Sequence, residues 1–329
     1  MIIAQTPLRI SFCGGGTDLP DYYRENGGFV VSSAIDKFIY VIVKERFDNK
    51  IYVDYAQKEI VDSINEIKHE LVREAAKKTN MTNGFEIAML ADIPSEGSGL
   101  GSSSSLTVGL LNAFYQYRGM QVTSEQLARE ACEIEIDILK KPIGKQDQYI
   151  AAYGGLCSFN FNKNSSVEVK KLDLSSDYKR RLGSNLLLFF TNVTRKSSAI
   201  LEEQKNNISA NMEFHDNIKQ LAYQTRDYLL NGEFCKIGEI LKNSWELKKQ
   251  LSSNISNDFI DAMYNDSIIG GAKGGKIAGA GGGGFLLLYC ERDKQDKLRE
   301  AMKKYREMPF FLEPGGSKII FNYTRYDWK

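Results

Sequence analysis

Short β-branched and aromatic runs separated by glycine, aspartate and asparagine turns dominate the first part of the chain: TPLRISF, GGFVVSSAI, KFIYVIVKERF, KIYVDY and GFEIAML. This pattern predicts a strand-rich opening. One interruption, EIVDSINEIKHELVREAAKK, carries Ile64, Ile67, Leu71 and Val72 at helical spacing and predicts a helix. From Ser102 the period changes. SSSLTVGLLNAFYQYRG sets Leu106, Leu110, Leu111, Phe114 and Tyr117 on one broad face and stops at Gly119. SEQLAREACEIEIDILKK does the same with Leu127, Ala131, Ile134 and Ile138, takes Ser124 as its cap, and ends against Pro142–Ile143–Gly144.

GGLCSFNF and VEVKKLDL then read as strands, and NLLLFFT as a buried one. The second half predicts three helices at roughly 195–230, 233–250 and 256–268, then the strand FLLLYC, an amphipathic DKLREAMKKY and a closing strand IIFNY. At 329 residues the chain exceeds the usual range of one core. The polar, turn-prone SSDYKRRLGS marks the boundary, giving units 1–184 and 185–329. The expected class is α+β: a strand-rich first unit carrying the Ser102 helix, and a second that packs an antiparallel sheet on helices, with a cleft between them.

Composition narrows the function. Apolar residues make up 42% and charged residues 26%, an ordinary globular profile. A formal net charge of +1 makes no case for a general nucleic-acid or membrane-surface binder, so local groups must meet any anionic ligand. Cys13, Cys132, Cys157, Cys235 and Cys290 are dispersed without a CxxC pair, which suggests reduced thiols in a cytoplasm. Only His69 and His215 are available for a His-based zinc site or triad. The first residues lack a basic leader, and no run approaches the ~20 apolar residues of a membrane span. A cytosolic protein is expected.

Three glycine-rich loops carry the candidate chemistry. PSEGSGLGSSSS precedes the Ser102 helix, whose unpaired N–H groups and positive dipole end suit a phosphate; a plain Gly/Ser turn is the alternative. It lacks the lysine of GxxxxGK[ST]. KGGKIAGAGGGGFLLLY satisfies GxGxxG at Gly279, Gly281 and Gly284 but precedes a strand, which argues against dinucleotide binding. Its glycines would let two backbones, or a backbone and a ligand, come close. TPLRISFCGGGTDLPDYY delivers Thr17 and Asp18 after Gly14–Gly15–Gly16, where an aspartate is also an ordinary turn stabiliser.

Together, PLRISFCGGGTD, PSEGSGLGSSSSLTVG and KIAGAGGGGF resemble, in order, the three motifs of the GHMP kinase superfamily, named for galactokinase, homoserine kinase, mevalonate kinase and phosphomevalonate kinase. RISFCGGGTDLPDYY, IEIDILKKPIGKQDQYIAAYGG and GKIAGAGGGGFLLLY look most like the bacterial D-glycero-D-manno-heptose 7-phosphate kinases of that superfamily. The resemblance covers essentially the whole chain. It implies an N-terminal domain like ribosomal protein S5 and a ferredoxin-like α/β sandwich after it. It also implies ATP-dependent phosphorylation of an anomeric hydroxyl, with Mg²⁺, on the route to nucleotide-activated heptose and surface polysaccharide. Partners would be ATP and a sugar phosphate, with a homodimer permitted.

The resemblance also assigns residues. Pro94, Gly97, Gly99, Leu100, Gly101, Ser102, Ser103 and Ser104 would bind the nucleotide, and Ser103 and Glu135 the magnesium. Asp147 would be the general base or orienting carboxylate, assisted by Arg9; their plainer readings are a turn residue and an edge-strand arginine. Regular helical geometry independently puts Glu135 beside Ala128 and Ala131, half buried. Gly15, Gly16, Thr17, Asp18, Gly281, Gly282 and Gly283 would line the acceptor side. A distal phosphate needs a cation, from Lys145, Arg195, Lys273 or Lys276, of which Arg195 leads as the better bidentate binder. The first loop lacks the Gly-Glu-His-Thr-Asp-Tyr wording of galactokinases, and Asp147 disfavours the homoserine kinase branch. Another GHMP sugar kinase, for a hexose or fucose-like sugar, and a sugar-responsive regulator on the same scaffold remain alternatives.

Overall fold

The computed structural model describes residues 1–93, 97–193 and 197–323. Its first sheet is built on one long strand. β1 (Ile2–Cys13) pairs antiparallel with β2 (Gly28–Glu45) along its whole length. The two runs GGFVVSSAI and KFIYVIVKE are thus one strand, with a register shift opposite Pro7/Leu8 in place of the expected turn.

The far edge of β2 is shared. Its second half pairs with β5 (Phe85–Ala91), which continues to the hairpin β3 (Ile51–Asp54) and β4 (Lys58–Val61). Its first half pairs with β6 (Leu156–Phe161), and β6 with β7 (Val167–Lys171). The second sheet has four antiparallel strands in the order β11-β8-β10-β9: β8 (Leu186–Phe190), β9 (Gly274–Ile277), β10 (Phe285–Tyr289) and β11 (Arg306–Glu307). The closing strand β12 (Lys318–Asn322) does not join it. β12 pairs with β1, returning the chain to the first sheet.

Helices α1 (Pro20–Asn26), α2 (Glu70–Lys78), α3 (Ser102–Tyr117), α4 (Ser124–Cys132), α5 (Gln146–Tyr153) and α6 (Ser176–Ser184) belong to the first half. The second half carries α7 (Ser197–Asn206), α8 (Met212–Asn231), α9 (Cys235–Lys249), α10 (Asp258–Ile269) and α11 (Gln295–Ala301). Among the described residues no helix is long and apolar enough to cross a membrane. α3 is apolar nearly all round because it lies buried on β1 and β2, with Val108, Leu110, Leu111 and Phe114 inaccessible.

Four helical expectations need correction. The helix over 59–78 starts only at Glu70, because Lys58–Val61 is taken by the ladder with β3 and Glu59 turns back to accept the Lys68 and His69 N–H groups at 2.6 and 3.0 Å. The stretch 195–230 divides at 207–211, where Asn and Ser disfavour helix interiors and Asn211 donates its side-chain amide to Leu251 O. Thr123, not Ser124, caps α4, accepting from Gln126 N at 3.2 Å. After Cys132 the winding widens to a π-helix over Glu133–Ile138, which turns Ile138 out to solvent and leaves Glu135 fully buried rather than half buried.

Candidate active site

The three glycine loops meet around one cleft of about 570 Å³. Backbone contact holds two of them together. A Cβ on Gly99 would lie 2.4 Å from Ala278 O, and one on Gly284 2.4 Å from Ser98 O. These glycines are needed because loop packs on loop with no space for a side chain. Gly99→Ala also forces an L residue to φ +73°. We expect it to lower Tm and weaken nucleotide binding. Gly119→Ala, at φ +72° with open space around it, measures the backbone penalty alone, on the order of 1–2 kcal/mol. Equal effects of the two substitutions would show that the loop contact is unimportant.

Gly101, in the left-handed conformation, starts α3. The first N–H groups of a helix have no intrahelical acceptors and suit an anion. Gly97, Gly99, Gly101, Ser102, Ser103 and Ser104 line the cleft there. Leu100 does not: its side chain is in the core and its carbonyl accepts from Arg9 N at 3.0 Å, so it anchors the loop. Pro94 lies outside the described residues.

Arg9 and Asp147 form a two-pronged pair at the centre of the cleft. Arg9 Nε and Nη2 donate to Asp147 Oδ1 and Oδ2 at 2.7 and 2.6 Å, and Nη1 donates to Gly99 O at 2.5 Å. The arginine side chain is 5% exposed and the aspartate 23%, so the carboxylate is held in one orientation with an open side. Asp147 sits in the first turn of α5, where negative charge is favoured.

Asp18 supports the same turn from the other side. Its carboxylate accepts from Gly16 N and Gln146 N, both at 3.0 Å, and from Gln146 Nε2 at 3.3 Å. Burial pushes its pKa up and the charge of Asp147 adds to this, against the lowering effect of the N–H groups. Asp18 therefore both lines the cleft, with Gly15 and Gly16, and locks the loop before α5. Thr17 does not face the cleft: its buried hydroxyl is held between Gly14 O and Phe29. On the third loop Gly281 and Gly283 line the cleft, whereas Gly282 donates its N–H to Ile255 O.

Glu135 meets Ser103 across the α3 N-terminus. Ser103 Oγ donates to Glu135 Oε1 at 2.6 Å and Gln148 Nε2 to Oε2 at 2.7 Å. Burial raises the Glu135 pKa, opposed first by Lys141, whose Nζ is 3.8 Å away, and then by these hydrogen bonds. Among the described residues no three His, Cys, Asp or Glu side chains gather to hold a metal by themselves. The adjoining hydroxyl and carboxylate still fit Mg²⁺, which takes few protein oxygens and completes its shell with phosphate oxygens and water.

Two matches decide the family: the GHMP kinases N terminal domain over residues 65–155 and the GHMP kinases C terminal domain over residues 225–307. The chain belongs to the GHMP kinase family. This GHMP kinase is a phosphotransferase with an alcohol group as acceptor. It is 33% identical to the D-glycero-alpha-D-manno-heptose 7-phosphate kinase of Campylobacter jejuni over 92% of this chain and 93% of that protein. A solved D-glycero-D-manno-heptose 1-phosphate kinase from Bacteroides thetaiotaomicron is 26% identical with a TM-score of 0.84, covering 98% of this chain and 100% of that one. A bifunctional fucokinase/GDP-fucose pyrophosphorylase of Arabidopsis thaliana is 25% identical over 92% of this chain, which spans 31% of that longer protein.

Of the cations expected for a distal phosphate, Lys145 and Lys273 do not line this GHMP kinase's cleft. Lys145 Nζ donates to Ser165 O at 2.8 Å and Lys273 pairs with Glu239 at 3.3 Å. Arg195 lies outside the described residues. Lys276 does line the cleft. Cleft residues missed from sequence include Lys141, 3.3 Å from Ser103 Oγ; Gln146, which ties Asp18 to α5; and Lys248 in the last turn of α9. Gln146 sits next to Asp147 in the GKQDQY run and was open to notice. Lys248 carries no local signal, because its helix reads as an ordinary amphipathic one.

Proposed function

We propose that this protein transfers the γ-phosphoryl group of ATP, with Mg²⁺, to the anomeric hydroxyl of D-glycero-D-manno-heptose 7-phosphate. The product would be the 1,7-bisphosphate, feeding nucleotide-activated heptose and surface polysaccharide. The observation that carries the reading is the Arg9–Asp147 pair, set between the α3 N-terminus and the Gly15–Asp18 loop. The names of the two heptose phosphate kinase relatives support the acceptor class.

The N–H groups of α3 and the hydroxyls of Ser102 and Ser104 would hold the donor phosphates, and Ser103 and Glu135 would hold the metal. A magnesium ion bound there would supply charge neutralisation for the phosphates. Asp147, its orientation set by Arg9, accepts a hydrogen bond from the acceptor hydroxyl. The hydroxyl oxygen forms its bond to the γ-phosphorus as the bond to the ADP oxygen breaks, and its proton passes to Asp147 late in transfer. Arg9 balances the charge that gathers around the transferred group.

The test is ADP release by the purified protein with Mg·ATP, across heptose 7-phosphate, free heptose, mannose, fucose and galactose. Release confined to heptose 7-phosphate is the expected result. Release with a free sugar instead would keep the kinase and discard this acceptor. No release with any of them, with ATP still bound, would replace catalysis by sugar-dependent regulation.

A further inference from the structure

One wall of the cleft holds more positive charge than the reaction centre needs. Lys248 on α9 and Lys276 on β9 are both buried, at 8% and 4% exposure, and both line the cavity. Neither ammonium has a carboxylate partner among the described residues. Lys248 Nζ donates to Gly279 O, and Lys276 Nζ donates to Phe12 O at 3.4 Å. By contrast, Lys141, at the nucleotide end, pairs with Glu70 at 3.1 Å and approaches Glu135.

Hydroxyl donors accompany the two lysines. Ser244, one turn before Lys248 on α9, and Ser11, two residues along β1 from Arg9, also line the cavity. Ser11 Oγ is buried with no hydrogen-bond partner among the described residues. A strand advances about 3.3 Å per residue, so Ser11 lies roughly 6.6 Å further along β1 than Arg9. That displacement runs from the loop before α3 toward the Gly14–Asp18 loop, since Arg9 N bonds to Leu100 O while Lys276 reaches Phe12 O.

Buried ammonium groups with only carbonyl partners are costly, and an anion from outside the chain can offset that cost. We propose that Lys248, Lys276, Ser11 and Ser244 form a phosphate subsite, and that its occupant is the non-reacting phosphate of the acceptor. The assignment rests on the sugar phosphate kinase reading above and names the cations that reading requires. Burial pushes the Lys248 pKa well down, with Lys276 and Arg9 adding to the effect, and burial lowers that of Lys276 as well. An arriving dianion would reverse those shifts. The two lysines come from segments 28 residues apart in sequence and are brought together only by the packing of α9 on β9.

Lys248→Met and Lys276→Met test the subsite in the full-length protein. Methionine keeps most of the side-chain volume and removes a buried charge, so both variants should melt no lower than the parent in phosphate-free buffer. Each variant should raise KM for heptose 7-phosphate by about 10–100-fold, with a much smaller change in KM for ATP. A fall in kcat and a rise in KM for ATP, with acceptor KM retained, would overturn the proposal and assign the lysines to the transferred phosphate. Inorganic phosphate supplies a readout that needs no turnover. It should raise the parent's Tm, and the double variant should lose most of that rise. An undiminished rise would overturn the subsite. If the parent shows no preference for phosphorylated over free sugar, the acceptor reading fails and this assignment of the occupant fails with it. Loss of the phosphate-dependent Tm rise in the double variant would then still support an anion site.

Discussion

Asp147→Asn lowers kcat for phosphoryl transfer by about 10²–10⁴-fold, the range for loss of a positioned general base. Asparagine keeps the shape and one acceptor oxygen but cannot take the hydroxyl proton. Arg9 becomes a buried guanidinium facing a neutral amide, so a stability loss of about 1–3 kcal/mol accompanies the kinetic effect. The two consequences separate experimentally. Single-turnover ADP formation at saturating substrates reads the chemistry, and a thermal melt reads the lost pair. A variant with normal kcat and a lowered Tm would reduce Asp147 to a partner that merely neutralises Arg9. KM for ATP should change little, since the α3 cradle is intact.

The second large effect is at Glu135. Glu135→Gln removes the only carboxylate beside Ser103 Oγ among the described residues. The Mg²⁺-dependent part of nucleotide affinity should fall by more than the roughly 10–100-fold that losing an outer-shell partner costs. Equilibrium binding of ATP with and without Mg²⁺ measures this without turnover, and an unchanged Mg²⁺ dependence would remove Glu135 from the metal site.

The same variant makes a pH prediction of definite sign. Burial raises the Glu135 pKa in the fold. A carboxyl whose native value exceeds its unfolded value of roughly 4.3 binds more protons folded than unfolded between the two. Its contribution to stability is therefore present below that window and lost as pH rises through it. In metal-free buffer Glu135→Gln should lose this contribution, so that its Tm falls less, or rises more, with increasing pH over this range than the parent's does. Asp18, raised by burial, acts in the same direction, whereas His69 and His215, both lowered by burial, add a rise with pH to parent and variant alike.

Much of the cleft was legible because short stretches carried it. The change of period after the GSGLGSSSS loop predicted a helix from Ser102, and α3 begins there. The four-glycine run before FLLLY implied close approach of a second backbone or of a ligand, and at Gly284 the backbone of Ser98 is what approaches. Arg9, Glu135 and Asp147 were assigned through resemblance to family motifs. Spacing alone left Asp147 and Arg9 open to plainer readings and placed Glu135 only half buried.

What failed in the reading depended on the register between distant segments. Whether residues 58–61 are helix or strand was decided by β3 offering them a ladder. The last strand was predicted as a strand, but its partner was decided by the free edge of β1. Thr17 and Lys145 have side chains suited to binding, yet each is occupied by backbone carbonyl oxygens, of Gly14 and Phe29 for Thr17 and of Ser165 for Lys145. The buried pair Lys248 and Lys276 is the clearest case. The sequence by itself determined the family, the order of the loops and the helix that opens at the GSGLGSSSS loop, because those properties reside in contiguous residues whose backbone preferences are local. Only the tertiary structure decided which charges face the cleft, because that depends on which elements pack together and which polar groups find partners within the fold.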